Sequence, residues 1–402
     1  MTETPMGTHA IVGAGQAGAW AAVAMRRAGF AGRIVLIGAE PHPPYERPPL
    51  SKAWLTATEE PEPSWFHPLA RYAELDVTLW LGAPVTEIDA ASRRLAVADG
   101  RELRFDRLLI ATGGQARRLA VPGGEQALVL RDIADARAIR ARSADARQVV
   151  CIGAGVIGLE AAASARARGA EVTVLEAAPV AMGRAVTAEV AGFVCDLHRA
   201  AGVRLEFGVS VTGIAADAVT CADGRSFPAD LVLAGVGMTR TTALAAAAGC
   251  AVENGVVVDA LTATSVPGVF AAGDVAAFPH PLVPDGLLRI ETWRHAQNHG
   301  TAAGEAMAGT GRPYDDVPWF WTDQYGVNLQ IAGLPGRAAR TLLRVAEPRR
   351  LVAVHLDAEG RVVGVSAAGA PREIRLGTQL IRSGRVVDPR MLADPTVPLG
   401  SG

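Results

Sequence analysis

The feature that most limits what this chain can fold into lies near its start. His9-Ala10-Ile11-Val12 is a short apolar run, Gly13-Ala14-Gly15-Gln16-Ala17-Gly18 follows, and an alanine-rich stretch runs from Ala19 to Met25. The order predicts a buried strand, a glycine turn and a helix, with the spacing G-x-G-x-x-G. Gly13 permits the tight turn, Gly15 lets the backbone approach a phosphate, and Gly18 lets the helix pack closely on the strand. The helix N-terminus then offers free N–H groups and partial positive charge to an anion. A second strand, Arg33-Ile34-Val35-Leu36-Ile37, leads to Glu40, an acid placed to accept hydrogen bonds from a ribose.

The whole unit recurs. Gln148-Val149-Val150-Cys151-Ile152 leads into Gly153-Ala154-Gly155-Val156-Ile157-Gly158, a second alanine-rich helix, and Glu171-Val172-Thr173-Val174-Leu175-Glu176. Two complete units imply two dinucleotide sites. The echo continues beyond the motif, at a separation of about 124–140 residues. Asp99-Gly100 and Ala222-Asp223-Gly224-Arg225 are matching hairpin signals, and Asp106 to Gly114 and Asp230 to Gly237 are matching exit strands. The fold class that follows is α/β, with two Rossmann-like dinucleotide-binding domains.

At 402 residues the chain is long enough for two or three domains. A net charge of −2 gives no footprint for nucleic acid. Met1 to Thr8 carries no basic, apolar signal pattern, and no apolar run is long enough to span a bilayer, so the expectation is a cytoplasmic protein without membrane contact. Cys151, Cys195, Cys221 and Cys250 form neither C-x-x-C nor a metal-ligand spacing. They read as buried reduced thiols, with no metal site and no redox disulfide to receive electrons.

Between the units lies a proline-rich segment, Pro41-His42-Pro43-Pro44-Tyr45-Glu46-Arg47-Pro48-Pro49-Leu50-Ser51-Lys52. Its prolines predict a stiff loop without regular structure, holding Arg47 and Lys52 beside a ligand's charges. Residues 75–105 read as a small antiparallel excursion that includes Val77 to Trp80. Gly255 to Asp259 and Gly268 to Val275 read as strands that return to the first domain. An alanine-rich helix then begins in Glu291-Thr292-Trp293. From Pro318 the chain changes: Pro318-Trp319-Phe320-Trp321-Thr322-Asp323-Gln324-Tyr325 is aromatic-dense. Strands at Asn328 to Ala332, Leu351 to Leu356 and Arg361 to Val365, and a helix near Gly377 to Arg382, predict a separate α/β domain.

These strings together carry a resemblance. Gly13 to Gly18, Tyr45 to Lys52, Ala111-Thr112-Gly113, Gly153 to Glu160, Ala272-Gly273-Asp274-Val275, Glu291-Thr292-Trp293 with Ala296-Gln297, and Pro318 to Gln324 are similar to the FAD-containing, NADH-dependent ferredoxin reductases of bacterial P450 and Rieske dioxygenase systems. That is the putidaredoxin reductase and biphenyl dioxygenase reductase type. The match covers nearly the whole chain, and the Arg-Pro-Pro-Leu-Ser-Lys and Trp-x-Trp-Thr-Asp-Gln strings are its most specific parts. It implies a glutathione-reductase-like plan: an FAD domain at 1–114 and 240–317, an NAD domain at 115–239 and a C-terminal α/β domain at 318–402.

The resemblance also implies roles. Gly13, Ala14, Gly15, Gln16, Ala17, Gly18, Glu40, Arg47, Lys52, Val85, Ala111, Thr112, Gly113, Arg131, Gly273, Asp274, Val275, Trp293 and Trp321 would hold FAD. Glu40 would take the adenosine ribose and Asp274 the ribityl chain, Trp293 would lie by the pyrimidine edge, and Trp321 between flavin and surface. Gly153, Gly155, Val156, Ile157, Gly158, Glu160, Glu176, Arg184 and Gly237 would hold NADH. Lys52 and Glu160 would form the catalytic ion pair where the nicotinamide arrives. NADH would deliver hydride to the flavin, and electrons would pass singly to an acidic [2Fe–2S] ferredoxin. Basic residues would dock it. Arg71, Arg312, Arg337, Arg340, Arg349 and Arg350 are candidates, and most of them read as a scattered solvated set.

Glu176 bears independently on cofactor choice. A carboxylate there accepts from both ribose hydroxyls and repels a 2′-phosphate. Ala177, Ala178 and Pro179 follow it, so NADH is expected over NADPH, with Arg184 the nearby alternative phosphate contact. Two other readings share the scaffold: an NADH oxidase or peroxidase, which lacks a recognisable redox cysteine, and an NADH-responsive flavoprotein acting by association, as in the apoptosis-inducing factor branch.

Overall fold

In the computed structural model, which describes residues 7–400, the run Thr8–Val12 is the central strand of a five-stranded sheet. The first six residues, on which most of the amino-terminal signal reading falls, lie outside the described ones. Across the sheet the order is Val269–Ala271, Arg107–Ile110, Thr8–Val12, Arg33–Ile37 and Val77–Trp80, with every neighbouring pair parallel. Parallel strands need crossovers, and the helix Gln16–Arg27 supplies the first. Ala10, Ile11, Ile34, Val35 and Leu36 are fully buried, which explains why these strands are continuously apolar and not alternating.

Of the two late strands expected near the first domain, Val269–Ala271 pairs with Arg107–Ile110, whereas Val256–Val257 lies in a separate small sheet, paired with Ala276–His280. Helix Trp293–Met307 packs along helix Gln16–Arg27. The approach is close enough that a Cβ at Gly300 would lie 2.2 Å from the Ala17 carbonyl oxygen.

The chain divides into two compact units. One comprises Met1–Glu46, Glu62–Gln115 and Thr239–Asp316, and the other Arg47–Pro61, Ala116–Met238 and Val317–Gly402. The segment Arg47–Pro61, which the sequence boundaries give to the first domain, groups here with the second unit.

The second unit holds a parallel sheet in the order Arg204–Phe207, Glu171–Glu176, Gln148–Ile152 and Leu231–Ala234. It also holds an antiparallel sheet in the order Trp319–Gln324, Val327–Gly333, Val362–Ala368, Arg350–Leu356 and Arg340–Glu347, against which helix Pro371–Ser383 packs. Val149, Leu159, Val190, Ile331 and Leu351 belong to one apolar core.

Two local expectations are corrected, and one strand was not foreseen. Val77–Trp80 is the edge strand of the parallel sheet, paired with Arg33–Ile37, and not part of an antiparallel excursion. The antiparallel sheet is confined to Val85–Asp89, Arg94–Val97 and Glu102–Arg104. Strand Arg340–Glu347 escaped notice because its polarity is inverted, with Arg344 buried and Leu343 exposed, so its residues do not read as an apolar alternation. The proline-rich segment is not wholly irregular: Pro48–Ser51 is a 3₁₀ turn and Ala53–Thr56 a helical turn. Proline suits the first position of a helical turn, where its missing N–H costs nothing.

Candidate functional site

In the first unit the glycine turn leaves the carboxyl end of the central strand, where open α/β sheets bind ligands. Gly13 has φ +117°, and a Cβ there would sit 2.2 Å from the Ala111 carbonyl oxygen, so backbone geometry and packing both demand glycine. Gly15 differs. A Cβ at Gly15 would meet no protein atom within 4 Å, so the protein's own packing does not require glycine there. Gly15 caps helix Gln16–Arg27 without a side-chain hydrogen bond, and the first turn carries no acid. Its N–H groups are therefore left to a ligand. These residues fit a dinucleotide pyrophosphate.

The other expected residues of this unit fall as follows. Glu40 stands just beyond strand Arg33–Ile37, and the Tyr45 hydroxyl donates to its Oε2 at 2.6 Å. Thr112 and Gly113 join the departing chain to its return: the Thr112 hydroxyl donates to the Thr241 carbonyl at 2.7 Å, and the Thr241 N–H donates to the Gly113 carbonyl at 3.0 Å. Gly273-Asp274-Val275 is a 3₁₀ turn whose Gly273 N–H donates to His299 Nδ1 at 3.2 Å. Asp274 is partly exposed, whereas Val275 is fully buried in the core. Val85 opens the small antiparallel sheet, half-buried. Trp293 is the first residue of its helix, after the capping Thr292.

The second unit repeats the plan. Gly153 has φ +98°, and Gly155 caps helix Val156–Ala167 without a side-chain hydrogen bond. A Cβ at Gly155 would be no closer than 3.6 Å to any protein atom. Glu176 ends its strand with the carboxylate clamped: Oε2 accepts the Ala154 N–H at 2.7 Å and Oε1 the Ala178 N–H at 2.8 Å. Arg184 Nη2 lies 3.3 Å from where a Cβ at Gly237 would stand. Gly237 follows strand Leu231–Ala234, on the other side of Gln148–Ile152 from the strand that carries Glu176.

The proline turn brings its cations to the same unit. Arg47 Nη1 donates to the Arg131 carbonyl at 2.5 Å. Lys52 Nζ reaches Glu160 Oε2 at 2.8 Å, with the Lys52 side chain 24 % exposed and that of Glu160 2 %. Burying a carboxylate this far is costly unless its lone pairs are filled. Here they are. Ser51 Oγ also donates to Oε2, and Thr322 Oγ1 donates to Oε1 at 2.7 Å. Ser51 is fixed in turn, its carbonyl accepting from Ser164 Oγ at 2.7 Å.

Thr322 lies on strand Trp319–Gln324, next to Trp321. Trp321 stacks on Trp319 with ring centroids 5.3 Å apart, and its indole N–H donates to Asp323 Oδ2 at 2.8 Å.

Sequence reasoning missed Ser51, Thr322, Tyr45 and His299. The first three lie inside strings already singled out, and strand alternation would have marked Thr322 as inward when Trp321 is outward. His299 had no local signal.

All four cysteines are free and buried. Burial pushes the Cys151 thiol up to about 12, so it is no nucleophile. Among the candidate docking arginines, Arg71 and Arg350 pair with Glu74 and Glu347, and Arg349 donates to the Tyr325 carbonyl. Arg340 and Arg350 sit at opposite ends of one hairpin and form no single patch. Among the described residues no cluster of His, Cys, Asp and Glu is placed to hold a metal, and no helix is long and apolar enough to cross a membrane.

Comparison with known proteins bears on both units. Residues 7–300 match the family described as pyridine nucleotide-disulphide oxidoreductase, and residues 319–401 match the reductase C-terminal family. The ferredoxin–NAD(+) reductase component of the p-cumate 2,3-dioxygenase system of Pseudomonas putida is 40 % identical over 396 residues, covering 97 % of this chain and 96 % of its own. The ferredoxin reductase for the CYP199A2 system of Rhodopseudomonas palustris superimposes with a TM-score of 0.94 at 36 % identity, covering 98 % of both chains. The covalent putidaredoxin reductase–putidaredoxin complex matches with a TM-score of 0.93 at 35 % identity, again over 98 % of both chains.

Proposed function

The chain belongs to the pyridine nucleotide-disulphide oxidoreductase family, and on that premise we propose that it is an NADH-dependent ferredoxin reductase. FAD and NAD(H) are its cofactors, and FAD supplies the redox chemistry that converts a hydride pair into single electrons. The partner is an acidic [2Fe–2S] ferredoxin serving a P450 or Rieske-type oxygenase, and the setting is cytoplasmic. The observation that carries this reading is the duplicated combination of glycine turn, helix start without a side-chain cap and strand-end carboxylate.

We assign FAD to the turn at Gly13 to Gly18, with Glu40 on its adenosine ribose, and NADH to the turn at Gly153 to Gly158, with Glu176 on its ribose. The domains follow as 1–114 with 240–317 for FAD, 115–239 for NAD, and 318–402 at the C-terminus. Lys52, held in place by Glu160, would bring a positive charge to the flavin. By the resemblance, Arg47 and Arg131, joined by their own hydrogen bond, would border the same cofactor, and Trp321 would lie between flavin and surface. The residues orient both cofactors and fix the charge around them, which is the protein's share in such chemistry.

The test is NADH-dependent cytochrome c reduction by the purified yellow protein, with and without a bacterial [2Fe–2S] ferredoxin. A large ferredoxin-dependent rate is expected. Absence of flavin, or flavin that NADH does not bleach under anaerobic conditions, would overturn the reading.

A further inference from the structure

The Glu160 carboxylate is the end point of a longer arrangement. Its partner Thr322 Oγ1 also meets Gln324 Nε2, at 2.9 Å. Gln324 Oε1 meets His198 Nε2 at 2.6 Å, and His198 Nδ1 meets the Tyr325 hydroxyl at 3.0 Å. Glu160, His198, Thr322 and Gln324 are all 3 % exposed or less.

The direction of every bond follows from one end. Glu160 faces the Lys52 ammonium and accepts on both oxygens. The Thr322 hydroxyl spends its one proton on Glu160, so it accepts from the Gln324 amide. That leaves the Gln324 carbonyl oxygen toward His198, which must donate from Nε2. Nδ1 then carries no proton and accepts from Tyr325. Each donor in the series points toward Glu160, and His198 is a neutral imidazole of one defined tautomer. Burial, the larger influence, lowers its pKa, consistent with a neutral ring.

The backbone invests in this arrangement. Tyr325 has φ +52° and Gly326 φ +71°, so the hairpin joining Trp319–Gln324 to Val327–Gly333 turns through two left-handed residues. A tyrosine there is unfavourable, because its Cβ crowds the backbone in the left-handed region. It is held by its hydroxyl on His198 and by Arg349 on its carbonyl at 2.6 Å.

We propose that Thr322, Gln324 and His198 are positioning residues that aim the Glu160 carboxylate, and through it Lys52, for hydride transfer from NADH. The proposal rests on the reductase reading for its reaction, but the hydrogen-bond series does not depend on it. Glu160 comes from the helix after the second glycine turn and Lys52 from the proline turn, while Thr322 and Gln324 come from the C-terminal sheet and His198 from helix Ala188–Ala200. Misaligning a charge at the transfer site by less than its own width is enough to slow the step.

Two measurements test it on the flavin-loaded protein. In the first, anaerobic stopped flow follows flavin bleaching by NADH in Thr322→Val, Thr322→Ser and His198→Phe. Thr322→Val keeps the shape and removes the donor. Its limiting rate should fall about tenfold, with half-saturation by NADH moved much less, and Thr322→Ser should restore most of the rate. His198→Phe should lie between. A wild-type limiting rate in Thr322→Val overturns the proposal. In the second, ¹⁵N NMR reads the His198 ring in wild-type protein. Protonated Nε2 with bare Nδ1 at pH 7 is expected, and the opposite tautomer or an imidazolium overturns the proposal even if a variant fails to fold. Wild-type protein that NADH cannot reduce would count instead against the reductase reading, with the tautomer still deciding the hydrogen-bond series.

Discussion

The Glu176 carboxylate accepts the Ala154 N–H at 2.7 Å, so the acid that ends one strand is tied to the glycine turn that ends its neighbour. Its other oxygen is held by Ala178 at 2.8 Å. A negative charge fixed in this way cannot swing aside for a 2′-phosphate. We predict that kcat/KM for NADH exceeds that for NADPH by about a hundredfold, and that Glu176→Ala narrows the ratio to below about tenfold. Equal efficiency with the two cofactors in the wild type would refute this.

The Lys52–Glu160 pair separates stability from turnover. Lys52→Met leaves a buried carboxylate with two hydroxyl donors and no cation, and should cost about 3 kcal/mol of stability. The double variant Lys52→Met with Glu160→Gln removes the stranded charge and should regain much of that loss. Flavin reduction by NADH should stay at least tenfold slow in both, by the same positional argument. If the double variant recovered rate along with melting temperature, the pair would be an ordinary structural ion pair.

Acid should weaken the fold through its histidines. Burial is the main cause that holds His9 and His355 down to about 4 and His299 to about 3. Their unfolded value is about 6.5. The folded state therefore keeps them neutral where the unfolded chain binds protons, so their stabilising contribution is full above pH 6.5. It is lost as pH falls through the window toward 4 and then 3. Near pH 5 unfolding should take up about three protons on their account, a slope of about 4 kcal/mol per pH unit shared between the two units. Calorimetric melting from pH 7.5 to 5 should show the decline, and a melting temperature flat across that range would contradict it.

The thiols should be silent. Cys151, Cys195, Cys221 and Cys250 are at most 6 % exposed, and burial raises each of them above its ordinary value. Native protein at pH 8 should show no fast-reacting thiol toward a disulfide reagent, and prolonged alkylation should leave NADH-driven turnover unchanged. A rapidly modified cysteine whose loss stops turnover would revive the peroxidase reading.

Much of this was legible in the sequence because it is local. A glycine turn, the helix after it and the acid ending the next strand lie within a few tens of residues of one another, and their spacing reports their chemistry. Glu40 and Glu176 both sit at the strand ends where that spacing puts them. Lys52 and Glu160 required the family resemblance, since 108 positions separate them. Of the remaining partners of Glu160, Ser51 and Thr322 lie in strings that the resemblance singles out, but the series beyond Thr322 was not legible at all. His198 reaches Gln324 across 126 positions, and nothing near His198 distinguishes it from any histidine late in an amphipathic helix. Val77–Trp80 was misjudged for the same reason: its partner strand lies beyond a long connection, and a short apolar run does not say whether its neighbour is parallel.

Strand Trp319–Gln324 presents Trp321 on one face and Thr322 with Gln324 on the other, and the two faces have different tasks. Because side chains alternate strictly along a strand, a deletion or insertion of one residue upstream of Trp321 would not degrade one task and spare the other. It would exchange them, sending indole inward against a carboxylate and hydroxyl outward to solvent. A step of two restores the faces but carries each side chain about 6.6 Å along the strand, away from its partner, so this segment should resist length variation, whereas substitutions on either face can drift independently.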